Sequence, residues 1–422
     1  MQAVTVLVVL TVLYVYAMAV LSTRSVAAGR GGSCAEPFFV LLVPALNEEG
    51  VIGRTLSSLL GLRGDFVVLV IDDASDDGTV DAVVPFTADP RVRLVRQPRE
   101  QARRGKGHAL NAGCAAVRRM DLLRGRAPED VVVVVFDSDA RVEPDFLEKV
   151  APYFADDEVA GVQSAVRMYN ADHNLLTLWQ HLEFAVWGRI ICGAKDLLGS
   201  ATLGGNGQCV RLADLYALED VPWRPSSLTE DLDLSLRLLA KRRRLRFCAS
   251  AAVLQEAVPK LRSLVRQRGR WLQGHLACWQ YLPTLLGSRQ PFHTRLDLLI
   301  FLLLPVAFLP IGLASIVSWL SFSFGSYKGD APHLVAWYLL AFPMAPLVMV
   351  SWGRSARPPL WRLLLHGHLF TFYSFVWFAA GVVVYWHVLL GRRGWAKTSR
   401  VSPRLLPPAE PCPQTPIVEL PR

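Results

Sequence analysis

The sequence predicts an α/β domain on a mainly parallel sheet, with membrane helices before and after it. Three observations lead there. Apolar runs at residues 38–43, 66–71 and 131–136, with a shorter one at 92–95 broken by Arg93, alternate with helical stretches at 50–60, 79–84 and 109–120. Runs apolar at every position are strands buried on both faces, as in a parallel sheet covered by helices. The ends of three runs carry polar, mostly acidic residues: Asn47-Glu48, Asp72-Asp73 and Asp137-Ser138-Asp139. In such sheets ligands bind beyond the carboxyl ends of the strands. Finally, 52% of the 422 residues are hydrophobic, and the excess is concentrated in residues 3–21 and about 296–390.

Taken in order, the first apolar run is long enough to span a bilayer, which needs about 20 such residues. It has no basic residue ahead of it and exceeds the roughly 7–15 apolar residues of a signal peptide. Residues 1–22 are therefore expected to be an uncleaved anchor. Arg24 and Arg30 follow it, which by the positive-inside rule puts the next domain in the cytoplasm. A Gly-rich linker occupies 23–37, and the globular domain runs over 38–287. Residues 288–392 divide into about three membrane segments near 296–322, 331–352 and 363–390. Pro305, Pro310, Pro343 and Pro346 interrupt two of them, which neighbouring helices tolerate in lipid. Residues 393–422 form a tail with a Pro-rich, disordered end. Arg354, Arg357 and Arg362 call for the cytoplasm, as do Arg392, Arg393, Lys397 and Arg400. A single helix between the two groups would place them on opposite sides, so the last segment is interfacial or re-entrant, or one group breaks the rule. The expected location is the plasma membrane, multi-pass, with the catalytic domain cytoplasmic.

The net charge of +9 gathers at 241–246, 262–270 and 392–404. Basic clusters beside membrane segments face anionic headgroups, so membrane lipids are an expected partner. No recognisable nucleic-acid module accompanies the charge, and no nucleic-acid partner is expected. The seven cysteines (34, 114, 192, 209, 248, 278 and 412) show no paired spacing, which argues against a disulfide framework or structural zinc.

Asp137 and Asp139 leave a strand end at i and i+2, hence on one side. Converging carboxylates suit a hard divalent ion, Mg²⁺ or Mn²⁺, bound together with phosphate oxygens. The same pair also fits an Asx turn. Adjacent Asp72 and Asp73 repel unless one meets a hydroxyl, an amide or a cation; a ribose or base edge is a natural partner. Lys106 lies in a Gly-rich turn before a helix, placed to approach phosphate, or else it is part of a solvated basic turn. Ser227 and Glu230 read as a capping box for a helix over 232–239. Asp231 stands in the first turn, where the helix dipole favours an ionised carboxylate able to act as general base. Gln267, Arg270 and Trp271 fall at i, i+3 and i+4, on one helix face. A guanidinium clamp flanked by amide and indole donors suits a diphosphate. An amphipathic interfacial helix is the competing reading.

In chain order, Asp72-Asp73, Asp137-Ser138-Asp139, Thr229-Glu230-Asp231 and Gln267-Arg268-Gly269-Arg270-Trp271 resemble the D, DxD, TED and QxxRW motifs of membrane-embedded glycosyltransferase family 2. That group includes the cellulose, chitin, hyaluronan and poly-N-acetylglucosamine synthases. The resemblance covers about 40–282 and returns at 395–400, similar to the family's WxKTxR tail. The single anchor ahead of the domain is fewer than cellulose-type members carry.

The resemblance implies a GT-A fold and an inverting, metal-dependent transfer from a nucleotide diphosphate sugar, UDP-activated. Asp72 or Asp73 would hold the nucleoside, with Lys106 near the donor phosphates. Asp137 and Asp139 would bind the metal, Asp137 the donor as well. Asp231 would be the base, and Gln267, Arg270 and Trp271 would secure the leaving diphosphate. Gly205, Asn206 and Gly207, with Glu230, would line the acceptor site. The implied acceptor is a growing polysaccharide, exported through the adjacent helices with a possible accessory subunit. Single transfer to a lipid acceptor is the alternative, since ceramide glucosyltransferase-like enzymes carry a similar QxxRW. A silent nucleotide-sugar-binding subunit would lack a carboxylate or the clamp, and this chain keeps them all. A transporter would want ionisable residues inside several helices, and His366 and His368 near a segment end are the only candidates.

Overall fold

The computed structural model describes residues 2–24, 36–119, 123, 125–218, 220–324, 338, 341–342 and 344–389. Most of the expected linker, the WxKTxR-like segment, the Pro-rich end and the basic cluster at 392–400 lie outside these residues. Helix α1 (Gln2–Leu21) comes first. A regular alternation then follows: β1 (Phe38–Ala45), α2 (Ile52–Leu60), β2 (Phe66–Asp72), α3 (Thr79–Val83), β3 (Val92–Arg96), α4 (Lys106–Arg119) and β4 (Val131–Val135). All four expected strands are present. Helix α4 starts three residues earlier than the apolar pattern suggests, so Lys106 is its first residue.

The second half adds β5 (Arg141–Val142), α5 (Phe146–Val150), β6 (Val159–Met168), α6 (Leu175–Val186), α7 (Gly193–Leu198), β7 (Gln208–Arg211), α8 (Leu212–Tyr216), α9 (Glu230–Ala240) and β8 (Arg244–Gln255). Helices α10 (Leu261–Ala277), α11 (Leu282–Gly287), α12 (Phe292–Ser323), α13 (Ala345–Ala356) and α14 (Leu360–Leu389) complete it. A π-helical turn, Trp187–Cys192, joins α6 to α7.

The eight strands order as β3-β2-β1-β4-β7-β6-β8-β5. Strands β3, β2, β1 and β4 run parallel, but β7 lies antiparallel between β4 and β6. The expected mainly parallel sheet is thus a mixed one. Strand β7 has only four residues and turns straight into α8, too short to carry a periodic signal. The solid apolar runs of β1 and β4 are explained by two cores. Phe38, Val40, Val131 and Val133 pack with Leu110 of α4 and Leu234 of α9. Phe39, Leu41, Val132 and Val134 pack on the other face with Ile52 of α2 and Phe146 of α5.

Two further expectations change. Helix α9 begins at Glu230 after Thr229, with no side-chain cap, so the Ser227–Glu230 capping box does not form. Ser227 instead closes a backbone turn onto Arg224. Among the described residues one helix, Leu360–Trp386, is long and apolar enough to cross a membrane. The pair Phe292–Ala307 and Leu309–Ser321 passes only as a bent unit, kinked by 55° beside Pro305 and Pro310. At the N-terminus α1, apolar along nearly all of its 20 residues, packs on the protein. Its Tyr14 hydroxyl donates to Asp297 of α12 at 2.8 Å, and Met18 is buried against the protein. The expected multi-pass arrangement is therefore not supported.

Candidate active site

A cavity of about 1280 Å³ runs along the carboxyl ends of β1, β2 and β4. Its polar end is walled by Asp73, Lys106, Asp137, Asp139, Gly205, Asn206, Glu230, Asp231, Gln267, Arg270 and Trp271. The structure thus brings together eleven of the thirteen residues singled out in the sequence. The two others, Asp72 and Gly207, sit behind the wall. Asp72 Oδ1 accepts the Ser75 N–H at 3.2 Å and braces the loop after β2. Gly207, at φ +72°, has Ser164 and Val253 against the position a Cβ would take, so its role is close backbone packing.

Asp73 faces the cavity instead, with Oδ1 accepting from Gln97 Nε2 at 2.8 Å and from the Arg103 N–H at 2.9 Å. Burial raises its pKa and the Arg103 N–H opposes that rise. Lys106 Nζ lies 2.5 Å from Asp137 Oδ1 and 3.9 Å from Glu230 Oε1. Burial would lower the ammonium pKa, but Asp137 and Glu230 outweigh it and the net shift is upward. Asp231, one residue into α9, is raised by burial, while the Leu232 N–H and Lys106 pull it down. Its Oδ1 accepts that N–H at 2.8 Å. Glu230 is pushed up to about 7, again by burial first, against the pull of Lys106. Gly205, at φ +80°, lets the backbone pass where a Cβ would stand 3.0 Å from Asp231 Oδ2.

Asp137 and Asp139 offer two hard oxygen donors on the same wall. Among the described residues no cluster of three or more His, Cys, Asp or Glu surrounds them. Such a pair fits an ion that keeps water and takes phosphate oxygens from a substrate, as Mg²⁺ does. The Lys106 ammonium already sits against Asp137, and Asp139 Oδ2 accepts the Glu256 N–H at 3.2 Å.

Several supporting residues were not anticipated, Gln163 and Gln255 around the expected Asn206 among them. Asn206 Oδ1 accepts the Asp137 N–H at 3.1 Å, and Asn206 Nδ2 donates to Gln255 at 3.0 Å. Gln163 Nε2 donates to the Asn206 carbonyl at 2.9 Å, and Gln163 Oε1 accepts the Gly204 N–H at 2.7 Å. A polar residue inside an apolar strand, as Gln163 is in β6, was the available signal. Behind Gln267 lies Arg268, buried against Glu183 of α6; the lone acid of that helix was likewise a signal.

From its polar end the cavity continues into an apolar arm. Phe184, Trp187, Phe301, Leu304, Phe370 and Phe378 wall it, and Thr11, Tyr14 and Val15 of α1 close one side. One space therefore joins clustered carboxylates to an aromatic and aliphatic channel.

The family model described as glycosyltransferase like family 2 matches residues 36–274. The beta-monoglucosyldiacylglycerol synthase of Trichormus variabilis is 30% identical over 315 residues, 73% of this chain and 64% of that protein. The protein of the same description from Synechocystis sp. is 32% identical over 293 residues, covering 65% and 56%. The chain thus spans about six tenths of the length of these curated relatives. Neither bears the name of the cellulose or chitin synthases that the motifs resemble. A solved mannosyltransferase from Pyrobaculum calidifontis, in complex with GDP-Man and Mn²⁺, superposes with a TM-score of 0.63 at 16% identity. The match covers 91% of this chain and 99% of that one. At that identity the likeness concerns the fold, which is GT-A-like with a mixed sheet.

Proposed function

The chain belongs to the glycosyltransferase like family 2, and from that premise we propose that it transfers a sugar from a nucleotide diphosphate sugar to the hydroxyl of a lipid acceptor. One observation carries the acceptor class: the wall of carboxylates and the apolar arm are parts of the same cavity. An arm lined by Trp187, Phe301 and Phe370 suits the acyl chain of a lipid. The names of the relatives, diacylglycerol glucosylation among them, support the same reading. Processive polysaccharide synthesis rests on the QxxRW resemblance and on less similar relatives described as glucomannan 4-beta-mannosyltransferases, and is the weaker reading. An accessory export subunit has no part in single transfer.

The roles follow from position. Asp231 receives the acceptor hydroxyl proton, through Oδ2 because Oδ1 already takes the Leu232 N–H. Burial raises this carboxylate toward working pH, which suits a general base. The acceptor oxygen attacks the anomeric carbon opposite the diphosphate, giving inversion. Arg270 and Lys106 offset charge on the departing diphosphate, with Gln267 and the Trp271 indole N–H as neutral donors. Asp73 takes the nucleoside, and Asn206 holds Asp137 in place. Asp137 and Asp139 would hold Mg²⁺ or Mn²⁺, which supplies Lewis-acid neutralisation of the phosphates. We place the reaction at a membrane surface, with Leu360–Trp386 as the span and the GT-A-like domain cytoplasmic.

The test is turnover of a panel of UDP- and GDP-sugars by the full chain, with diacylglycerol and oligosaccharides as competing acceptors. Mass spectrometry is expected to find mono-glycosylated lipid and equimolar nucleoside diphosphate. A ladder of elongated oligosaccharide with no glycolipid would overturn the lipid reading.

A further inference from the structure

Gln267 and Trp271 reach the cavity from α10, and one buried side chain touches both from behind. Arg268 is 1% exposed, and its Nη1 donates to Gln267 Oε1 at 2.7 Å. Its guanidinium lies 4.2 Å from the centre of the Trp271 ring. Nη2 donates to Glu183 Oε2 at 2.6 Å. The Tyr373 hydroxyl donates to that same oxygen, and the Trp377 indole N–H donates to Glu183 Oε1 at 2.7 Å. Tyr373 and Trp377 belong to α14, which holds the candidate membrane span.

The chemistry of the amide gives this arrangement a consequence. A guanidinium only donates, so the Gln267 oxygen must face Arg268. Its NH₂ group is thereby turned the other way, into the cavity, as a donor. A planar cation over the Trp271 face likewise fixes the ring plane and leaves the indole N–H on its edge. Burying two charges costs about as much as their attraction returns, so a neutral pair that still offers Tyr373 and Trp377 a partner would hold the helices as well. Packing alone does not call for charge here; direction does.

We propose that Arg268 and Glu183 are a positioning pair that orients Gln267 and Trp271 as donors toward the leaving diphosphate and ties that orientation to α14. The inference rests on the nucleotide-sugar reading above. Neither residue touches substrate.

The experiment uses the full chain in detergent or nanodiscs, with UDP–Mn²⁺ and GDP–Mn²⁺ as calorimetric probes. The double variant Arg268→Met/Glu183→Gln removes the charges, keeps the volume and leaves Tyr373 and Trp377 a polar partner. It is expected to melt within a few degrees of the wild type yet bind the nucleoside diphosphate about 10- to 100-fold more weakly, the scale of an ångström-level misplacement. In turnover, donor KM rises and kcat falls while acceptor KM is unchanged, a split that a general brace would not produce. Arg268→Lys, which keeps the charge but loses the planar fork, should fold and still lose about tenfold in binding. Wild-type binding in either folded variant overturns the pair's role. Loss of folding in both variants makes the pair a brace and also overturns it. If the wild type binds neither UDP nor GDP, the donor reading fails and takes this inference with it; wild-type binding with unaffected variants sinks the positioning pair alone.

Discussion

Lys106 and Lys195 both sit against carboxylates, and they are wired differently. Lys195 Nζ meets Asp297 at 2.6 Å, with the two side chains 1% and 3% exposed. Ser200 and Tyr14 donate to the same carboxylate, and the Phe301 ring lies 4.3 Å from the ammonium. That group is neutral and closed, and it joins α1, α7 and α12. Around Lys106 the acids outnumber the bases. Lys106 and Arg270 share a wall with Asp137, Asp139, Glu230 and Asp231, and the cavity opens onto all six. A closed, balanced cluster holds helices together. An open, acid-rich one leaves a deficit for a cation and its phosphates to fill, and burial shifts Glu230 and Asp231 upward in the meantime. Excess charge marks the proposed site; neutral pairing marks the scaffold.

The largest test of this contrast is Asp231→Asn, expected to cut kcat by about 10²–10⁴-fold, the range for a general base. Calorimetry should find nucleoside diphosphate binding intact. Next come the two lysines. Lys195→Met strands a buried Asp297 and should cost about 3–5 kcal/mol in denaturant unfolding, most of it regained in Lys195→Met/Asp297→Asn, which keeps a polar partner for Ser200 and Tyr14. Lys106→Met should leave the melting temperature near that of the wild type and weaken nucleoside diphosphate binding by about 10- to 100-fold, one charged hydrogen bond's worth. Equal effects of the two changes on stability would erase the distinction between scaffold and site.

Smaller is the pH effect of Glu230. Its folded pKa is about 7 against an ordinary 4.5, so the folded state holds its proton longer than the unfolded chain does. Stability therefore falls as pH rises from about 4.5 to about 7, and the loss is complete above that. Melting curves of metal-free, donor-free protein across this window should show Glu230→Gln declining less than the wild type. A parallel decline would refute the assignment. The smallest expected effect belongs to Asp72→Asn, which should change donor binding by less than about twofold, against about tenfold for Asp73→Asn. The two acids are adjacent in sequence, and only one faces the cavity.

Much of the donor side was legible in the chain. Strand ends in the parallel part share one edge, so Asp73 and Asp137 could be placed from their apolar runs. Helical spacing put Gln267, Arg270 and Trp271 together, and all three do line the cavity. What stayed hidden depends on partners far apart in sequence. Glu183 and Arg268 are 85 residues apart, Lys195 and Asp297 are 102, and Tyr14 and Asp297 are 283. Periodicity says which face a residue is on and nothing about what arrives opposite it.

The residue order by itself placed the acidic strand ends and the Gln267–Trp271 helix face, because strand alternation, helix spacing and motif succession are local properties of the chain. Folding settled how those groups are aimed. The antiparallel entry of β7 brings Asn206 to the Asp137 N–H, and the packing of α6 and α14 around Arg268 turns Gln267 outward. The meeting of α1, α12 and α14 opens an apolar arm beside Asp231. Those are long-range juxtapositions, and their energies come from burying groups that the unfolded chain keeps apart in water.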